Sequence, residues 1–291
     1  MTTSSSEPVA FVLGGGGVLG ATQVGMLRAL LEAGITPDVI VGTSVGALNG
    51  AVLASDPTLA GVERLGRLWS SLSAAGVFSG SVVSQAARVV RHGTHLHSSD
   101  PLRRLLEREV PVENIEELAV RFGCVAACVE RSVAQWFFSG PITDAVLASC
   151  AVPGLLPPAV IDGEHYFDGG LVDSIPVGQA LEQGARRIFV LNVGRIEQPL
   201  RPPRWPWEVG LVAFEIARRH RFVAEMAALP EDVEVHVLPS GIQDTPTLSV
   251  RYRSAKQVAA RIDRGYAASR DYLAGRSDGS TAHRPTGAAS Q

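Results

Sequence analysis

Ser44 is the first residue whose surroundings suggest chemistry, because it lies in the sequence GTSVG between Gly42 and Gly46. Residues of strand type precede this turn, and a helix of small apolar residues follows it. A G-x-S-x-G sequence between a strand and a helix is typical of a sharp turn that presents a nucleophilic hydroxyl. The alternative is a plain turn with a hydroxyl cap. The context favours a nucleophile, and the N–H of Val45 is expected to point into the same space.

A second glycine-rich turn, GGGGVLG at 14–20, directly follows an apolar strand. Bare backbone N–H groups can bind an anion, and beside a presented hydroxyl they indicate an oxyanion hole. The same residues match the dinucleotide fingerprint G-x-G-x-x-G. That fingerprint needs an acidic residue at the end of the second strand, whereas Asp38 opens the strand here. A dinucleotide site and a purely structural loop are the less favoured alternatives.

A serine nucleophile needs a base, and Asp168 is the favoured candidate. It stands directly before Gly169 and Gly170 at a predicted strand end. Burial would raise the pKa of this carboxylate and recover part of the roughly 2.6 units by which an ordinary aspartate is less basic than histidine. DG is also a common turn sequence. Among the seven histidines only His236, near a late strand end, is kept as an alternative base.

The composition limits the possible classes of protein. Of the 291 residues, 46% are apolar and 19% charged, with a formal net charge of −3, which is ordinary for a soluble α/β protein and argues against nucleic acid as a partner. The three cysteines form no C-x-x-C pair, which indicates a reducing compartment. MTTSSSEP has no feature of a secretory signal. We therefore expect a cytoplasmic location, with peripheral membrane contact left open.

Alternating strand and helix patterns predict one α/β layer domain with a parallel strand pair at its start. We expect the domain to cover 8–274, with disordered ends at 1–7 and 275–291. A variable cap is predicted at about 57–115, and it contains His92, His95 and His97, which are expected in a solvated loop instead of a metal site. Ser174 is predicted to cap a short helix that has Pro176 in its first turn.

One late segment, RPPRWPWEVGLVAFEIARRHRF, combines aromatic and basic residues. Such a composition could bind an anionic lipid surface. The alternative is a packed helix with a solvated basic face. The residues concerned are Trp205, Trp207, Phe214, Arg218, Arg219 and Arg221.

The ordered set GGGGVLG, GTSVG, ASCAVPGLLPP and DGG resembles the patatin-like phospholipase family, over about residues 9–195. The resemblance implies a three-layer α/β fold with a mainly parallel sheet, helices on both faces and an inserted helical cap. It also implies a lipid acyl hydrolase with a Ser44–Asp168 dyad and neither metal nor cofactor. The motif glycines would be Gly20, Gly42, Gly46, Gly169 and Gly170, and the oxyanion hole would be formed by Gly15, Gly16, Gly17, Val18 and Val45.

Leu19 departs from the family pattern, which has a basic residue at this position of the glycine loop. Catalysis does not depend on this side chain, because the expected oxyanion donors are backbone groups. Without the positive charge, the substrate could be a neutral ester, a lysolipid or an acyl thioester. The departure is also the main support for a different class of function, a lipid-binding or regulatory module with little turnover.

Overall fold

The computed structural model describes residues 7–74, 97–193, 199–241 and 255–275. The strands are β1 (Val9–Leu13), β2 (Val39–Thr43), β3 (Arg121–Cys128), β4 (Val133–Phe137), β5 (Ala159–Ile161), β6 (Glu164–Asp168), β7 (Arg187–Leu191) and β8 (Glu234–Val237). The α-helices in these ranges are α1 (Ala21–Glu32), α2 (Val45–Ser55), α3 (Leu59–Ala74), α4 (Asp100–Glu109), α5 (Ile142–Ser149), α6 (Val177–Glu182), α7 (Pro206–Ala228) and α8 (Ala255–Ala274).

The strands form one mixed sheet in the order β5-β6-β3-β2-β1-β7-β8, with β4 also paired to β3. Its centre is parallel, since β1 pairs with β2 and β7, and β2 pairs with β3, all in the same direction. β6 runs antiparallel to β3. The ends of β2 and β6 therefore come to opposite sides of β3, which separates Thr43 and Asp168 by a single strand.

Helices cover both faces of the sheet, as expected for buried parallel strands. Phe11 and Leu13 of β1 face a core built with α1, α2 and α3, whereas Ala10 and Val12 face α6 and α7. This period-two division follows from the alternation of side chains along a strand. The three-layer α/β fold predicted from the sequence is confirmed.

Most predicted elements are present, with shifted ends. The Asp162–Gly163 turn joins β5 to β6, and both of its residues have positive φ. Ser174 is not a helix cap: α6 begins at Val177 and has no side-chain cap, because the Ser174 segment is used for contacts with the glycine loop.

Part of the predicted cap belongs to the main helical layer. Val62, Leu65 and Trp69 of α3 are buried in the core against α1 and α2. Residues 75–96, with His92 and His95, lie outside the described residues, and so do most of the two terminal segments predicted to be disordered. No helix within the described ranges is long and apolar enough to cross a membrane.

Candidate active site

Ser44 occupies the turn between β2 and α2 with a backbone conformation of φ 56° and ψ −125°. A residue with a side chain rarely adopts positive φ, so this turn is strained and must be held by its surroundings. The turn also requires close backbone approaches. A Cβ atom on Gly42 would lie 2.5 Å from the carbonyl oxygen of Gly46, and one on Gly46 would collide with the carbonyl oxygen of Leu13.

The structure brings Ser44 and Asp168 together across 124 positions of sequence. Ser44 Oγ donates a hydrogen bond to Asp168 Oδ2 at 2.6 Å. The other carboxylate oxygen, Oδ1, accepts from the N–H of Gly170 at 2.8 Å, so the carboxylate is held from both sides. Gly169 allows the approach, because any side chain there would collide with the carbonyl of Val125 on β3.

Burial sets the basicity of this carboxylate. Asp168 is 6% exposed, and desolvation raises its pKa to about 6, while the hydrogen bonds from Ser44 and Gly170 act in the opposite direction by stabilising the charged form. A carboxylate with this pKa is ionised at neutral pH and is a better proton acceptor than an exposed aspartate.

The segment 149–151, at the end of α5, contacts both Ser44 and Asp168. Ser149 Oγ accepts from the N–H of Ser44 at 2.9 Å, and Cys150 Sγ donates to the carbonyl oxygen of Ser44 at 3.1 Å. The carbonyl oxygen of Ala151 accepts from the N–H of Asp168 at 2.9 Å. The sequence pattern marks this segment as a motif but assigns no role to these three residues.

The glycine loop, residues 14–20, lies beside the turn between β2 and α2 that carries Ser44, which we call the elbow. Gly15 donates its N–H to the carbonyl oxygen of Ser174 at 2.9 Å, so this member of the predicted oxyanion hole already has a partner within the fold. Gly16 and Gly17 are exposed, and neither donates a backbone hydrogen bond to another described residue. Val18 is buried, and its carbonyl oxygen accepts from Arg261 Nη1 of α8 at 3.2 Å.

Leu19 is buried and packs against Val193, away from solvent. The position at which the family pattern has a basic side chain is therefore an apolar contact in this chain. Arg261 is a basic side chain at the same loop, but it comes from the last helix.

A buried polar network lies beneath the loop. Gln23 Nε2 donates to the carbonyl oxygens of Gly14 and Leu191, and Asn49 Nδ2 donates to the side chain of Gln23 and to the carbonyl of Gly20. Trp69 Nε1 donates to Asn49 Oδ1 at 2.9 Å. Buried amide side chains need such partners, and these bonds connect the loop to α1, α2 and α3.

The segment after Asp168 connects the elbow to the glycine loop. The carbonyl of Asp173 accepts from Thr43 Oγ1 at 2.7 Å, and the carbonyl of the next residue, Ser174, accepts from Gly15. The Asp173 side chain is 8% exposed. Its pKa is raised to about 7, chiefly by burial and also by the nearby Glu225, whereas Arg221 acts in the opposite direction.

His236 is not positioned to act as a base for Ser44, which corrects the alternative kept from the sequence. It lies on β8, three strands from β2 in the sheet order, or about 14 Å at the usual strand spacing. Its ring is buried and stacks on Phe189 with ring centroids 4.5 Å apart.

The dinucleotide alternative also loses support. Asp38 Oδ2 accepts from the N–H of Val9 at 2.7 Å. Val9 begins β1 and Asp38 directly precedes β2, so both are at the opposite end of these strands from the glycine loop. The carboxylate cannot face a ribose bound at that loop.

The aromatic and basic segment forms α7, and the structure divides its residues differently from the prediction. Arg218 is buried in an ion pair with Glu215 at 2.6 Å, and Arg219 also contacts Glu215. Phe214 packs against Gly170. The side chain of Trp207 lies outside what the structure describes. Among the described side chains of this helix and its N-cap, the large exposed apolar ones are Trp205, Val209, Ile216 and Val223.

A cleft of about 140 Å³ adjoins the segment that follows α5. Ala151, whose carbonyl holds Asp168, is one of its lining residues, and an ion pair of 2.7 Å between Arg103 and Asp144 lies at its wall. Most of the remaining lining residues are of apolar type, although the surface that faces the cleft is more polar than apolar. These apolar residues are Leu147, Leu156, Pro157, Pro158, Ala159, Val160 and Ile161.

Comparison with known proteins identifies the family of this chain. The family model described as patatin-like phospholipase matches residues 11–181. Lysophospholipase NTE1 of Kluyveromyces lactis is 30% identical over 203 residues, which are 67% of this chain and 13% of that protein. Lysophospholipase nte1 of Aspergillus niger is 35% identical over 189 residues, which are 65% of this chain and 12% of that protein.

Among solved structures, VipD from Legionella pneumophila matches 92% of this chain and 67% of its own at 16% identity and a TM-score of 0.48, too distant to add to the assignment. The chain belongs to the patatin-like phospholipase family, a family of lipid hydrolases. The resemblance inferred from the four motifs is thereby confirmed. The chain spans only about an eighth of the length of these two lysophospholipases.

Proposed function

We propose that this protein is a serine acyl hydrolase that cleaves fatty-acyl esters of lipids through a Ser44–Asp168 dyad. The observation that carries the proposal is the 2.6 Å hydrogen bond from Ser44 Oγ, on a strained strand-to-helix turn, to a buried carboxylate. A hydroxyl is a weak nucleophile unless an adjacent base accepts its proton. Asp168, with a pKa raised to about 6, is suited to that role.

In the proposed reaction Asp168 accepts the proton of Ser44 as Oγ attacks the acyl carbonyl carbon. The carbonyl oxygen becomes an oxyanion that accepts hydrogen bonds from backbone N–H groups between Gly16 and Val18 and from Val45. The tetrahedral intermediate then expels the alcohol, which leaves with the proton from Asp168, and Ser44 becomes an ester. Water, activated by the same carboxylate, hydrolyses this acyl-enzyme and regenerates the serine.

The proposal is tested with Ser44→Ala and Asp168→Asn on a chromogenic fatty-acyl ester and with a serine-reactive fluorophosphonate probe. Both variants should lose ester turnover while circular dichroism shows an intact fold, and the probe should label the native protein at Ser44. Full activity in Ser44→Ala would refute the dyad. A folded native protein that is neither labelled nor active would favour the lipid-binding module.

The buried Leu19 leaves no cation at the position where the family pattern has a basic residue, so a phosphate group on the substrate is not required there. We therefore compare four substrate classes: lysolipid, phospholipid, neutral ester and acyl thioester. An acyl-release assay across these four classes identifies the substrate. The names of the Kluyveromyces lactis and Aspergillus niger relatives favour a lysophospholipid.

We also propose peripheral membrane contact through the exposed stripe of Trp205, Val209, Ile216 and Val223, all between 46% and 57% exposed. Their spacing of four, seven and seven residues places them on one side of α7, along about 27 Å. In the turns between these residues, Ala213 and His220 lie near this side of the helix, and neither is a carboxylate. Phe214 of the same helix packs against Gly170, so the stripe is on an element that borders the site.

Liposome flotation of a Trp205→Ala, Ile216→Ser, Val223→Ser variant tests this contact. The matched control is Leu59→Ser with Val133→Ser, which removes two apolar side chains of similar exposure elsewhere, 44% and 41%. The α7 variant should remain unbound while the control floats with the native protein. Equal flotation of both would remove the proposed contact.

A further inference from the structure

The two backbone polar groups of Ser44 are held unequally. Its carbonyl oxygen accepts from the N–H groups of Ala47 and Leu48 at 2.9 and 3.2 Å, as well as from the thiol of Cys150. Its N–H has a single acceptor among the described residues, Ser149 Oγ at 2.9 Å. Loss of Cys150 would leave the carbonyl satisfied, whereas loss of the Ser149 hydroxyl would leave a buried N–H without a partner.

This asymmetry matters because Ser44 has positive φ. A residue in such a conformation stays there only when its neighbours determine its backbone. The N–H of Ser44 precedes the strained dihedral directly, and Ser149, which is completely buried, is the side chain that fixes it.

The same segment fixes Asp168. Two residues after Ser149, the carbonyl of Ala151 accepts from the N–H of Asp168 at 2.9 Å. The segment 149–151 thus bonds to the backbone of both residues whose side chains meet at 2.6 Å. A single rigid chain segment that holds two reacting groups keeps their separation constant, and small errors in such a separation are costly in rate.

We propose that Ser149 is a positioning residue for hydrolysis: by holding the amide of Ser44 on the segment that also holds Asp168, it keeps nucleophile and base in hydrogen-bond contact. This inference rests on the proposed nucleophilic role of Ser44. Ser149 touches neither the acyl group nor the proton that moves. Cys150 is a secondary support, because its acceptor has two other donors.

The experiment compares Ser149→Ala, Ser149→Thr and Cys150→Ala on the chromogenic ester, with Ser269→Ala as the control. Ser269 is another completely buried serine, on α8, outside the proposed machinery. Ser149→Ala should lower kcat by about 10- to 100-fold, with KM changed by less than about threefold, because binding is retained and alignment is lost. Cys150→Ala should lower kcat by no more than about fivefold. Ser149→Thr keeps the acceptor oxygen and should recover most of the lost rate.

A pH profile separates positioning from general destabilisation. The hydrogen bond from Ser44 lowers the pKa of Asp168 towards about 6 by stabilising its charged form. If Ser149→Ala loosens this bond, the pKa rises, and the acid limb of the kcat/KM profile moves to higher pH. Ser269→Ala should leave the limb in place even if it lowers the unfolding midpoint.

Unchanged kcat and an unmoved acid limb in folded Ser149→Ala would overturn the inference, as would equal losses of kcat in Ser149→Ala and Ser269→Ala. If Ser149→Ala does not fold, Ser149→Cys replaces it, since a thiol is a weaker acceptor of similar size and predicts an intermediate rate. Native rates for that variant would equally overturn the inference. Ser44→Ala measured beside these variants separates the two hypotheses: activity there refutes the proposed function, whereas inactivity with native rates in Ser149→Ala refutes only the inference.

Discussion

The nucleophile elbow and the glycine loop adjoin each other but are held in different ways. Ser44 is 8% exposed, and its turn is confined by backbone contacts to Gly42, Gly46 and the end of β1, and by hydrogen bonds to the end of α5. Gly16 and Gly17 are exposed, and the loop is held mainly at its base and through the carbonyl of Val18. A side chain that is in contact with an added methyl group can change its conformation, whereas a backbone carbonyl cannot move without shifting its strand or helix. We therefore expect the elbow to tolerate no added side chain and the glycine loop to tolerate a small one.

The largest expected effect is that of Gly46→Ala. The added methyl group would collide with the carbonyl oxygen of Leu13, so the buried start of α2 and the end of β1 would have to move apart. We expect a loss of at least about 3 kcal/mol of unfolding free energy in urea and no fluorophosphonate labelling. In Gly66→Ala, on α3, no atom lies within 4 Å of the added Cβ, so this control should be neutral or more stable by up to about 1 kcal/mol. Native stability and labelling in Gly46→Ala would show that the elbow is not rigid.

Gly16→Ala should affect activity more than stability. Its Cβ would run into Cγ2 of Val193, which is the end of a side chain and can yield, so the loop shifts instead of unfolding. A displaced oxyanion donor should lower kcat by about 10- to 100-fold with a stability loss near 1 kcal/mol.

The double variant Gly16→Ala, Val193→Ala tests the cause of that loss. Val193→Ala makes room for the methyl group, so kcat should be higher in the double variant than in Gly16→Ala, although the cavity lowers stability further. A double variant with no more activity than the single one would mean that the loop is as intolerant as the elbow.

Asp173→Asn tests the segment that contacts both regions. Its carboxyl has a pKa raised to about 7 in the folded protein, against about 3.9 in the unfolded chain. Between these values the folded state binds more protons, so native stability falls as pH rises from about 4 to 7, and asparagine removes that loss. The variant should gain about 1–3 kcal/mol over the native protein at pH 8 and nothing near pH 4, in urea unfolding at both pH values.

Activity in Asp173→Asn should fall by less than about fivefold, because Thr43 and Gly15 bond to backbone carbonyls of this segment and not to the carboxylate. Asp232→Asn, at an exposed carboxylate, is the control and should change stability by less than about 0.5 kcal/mol at either pH. A pH-independent stability difference in Asp173→Asn would contradict the expected burial cost.

The smallest expected effect is that of Arg261→Ala. The half-buried guanidinium donates a hydrogen bond of 3.2 Å to the carbonyl oxygen of Val18, and the loss of this bond should lower kcat by about two- to fivefold and stability by about 1 kcal/mol. Arg264→Ala on the same helix, whose guanidinium bonds to Ala260, is the control. A loss of kcat in Arg261→Ala as large as that in Gly16→Ala would make α8 a principal support of the loop.

The sequence by itself determined the local chemistry of this protein. Ser44 could be predicted because a glycine-framed serine between a strand pattern and a helix pattern has few other uses, and Asp168 because a carboxylate before two glycines stands at a strand end. Apolar runs and their periods predicted an α/β layer domain for the same reason, because they report local conformation and burial, and the resemblance to the family added the three-layer arrangement. Both side chains keep their place as candidate nucleophile and base.

Only the tertiary structure decided which groups hold those residues in place. Ser149 meets Ser44 across 105 positions, Ser174 meets Gly15, and Arg261 meets Val18 across 243 positions, and no local pattern encodes such distant backbone contacts. His236 was a plausible alternative base by sequence, but strand order put it on β8, three strands from β2. Strand order depends on packing of the whole chain, which is why residue types could indicate the candidate reacting groups but not the residues that hold them in place.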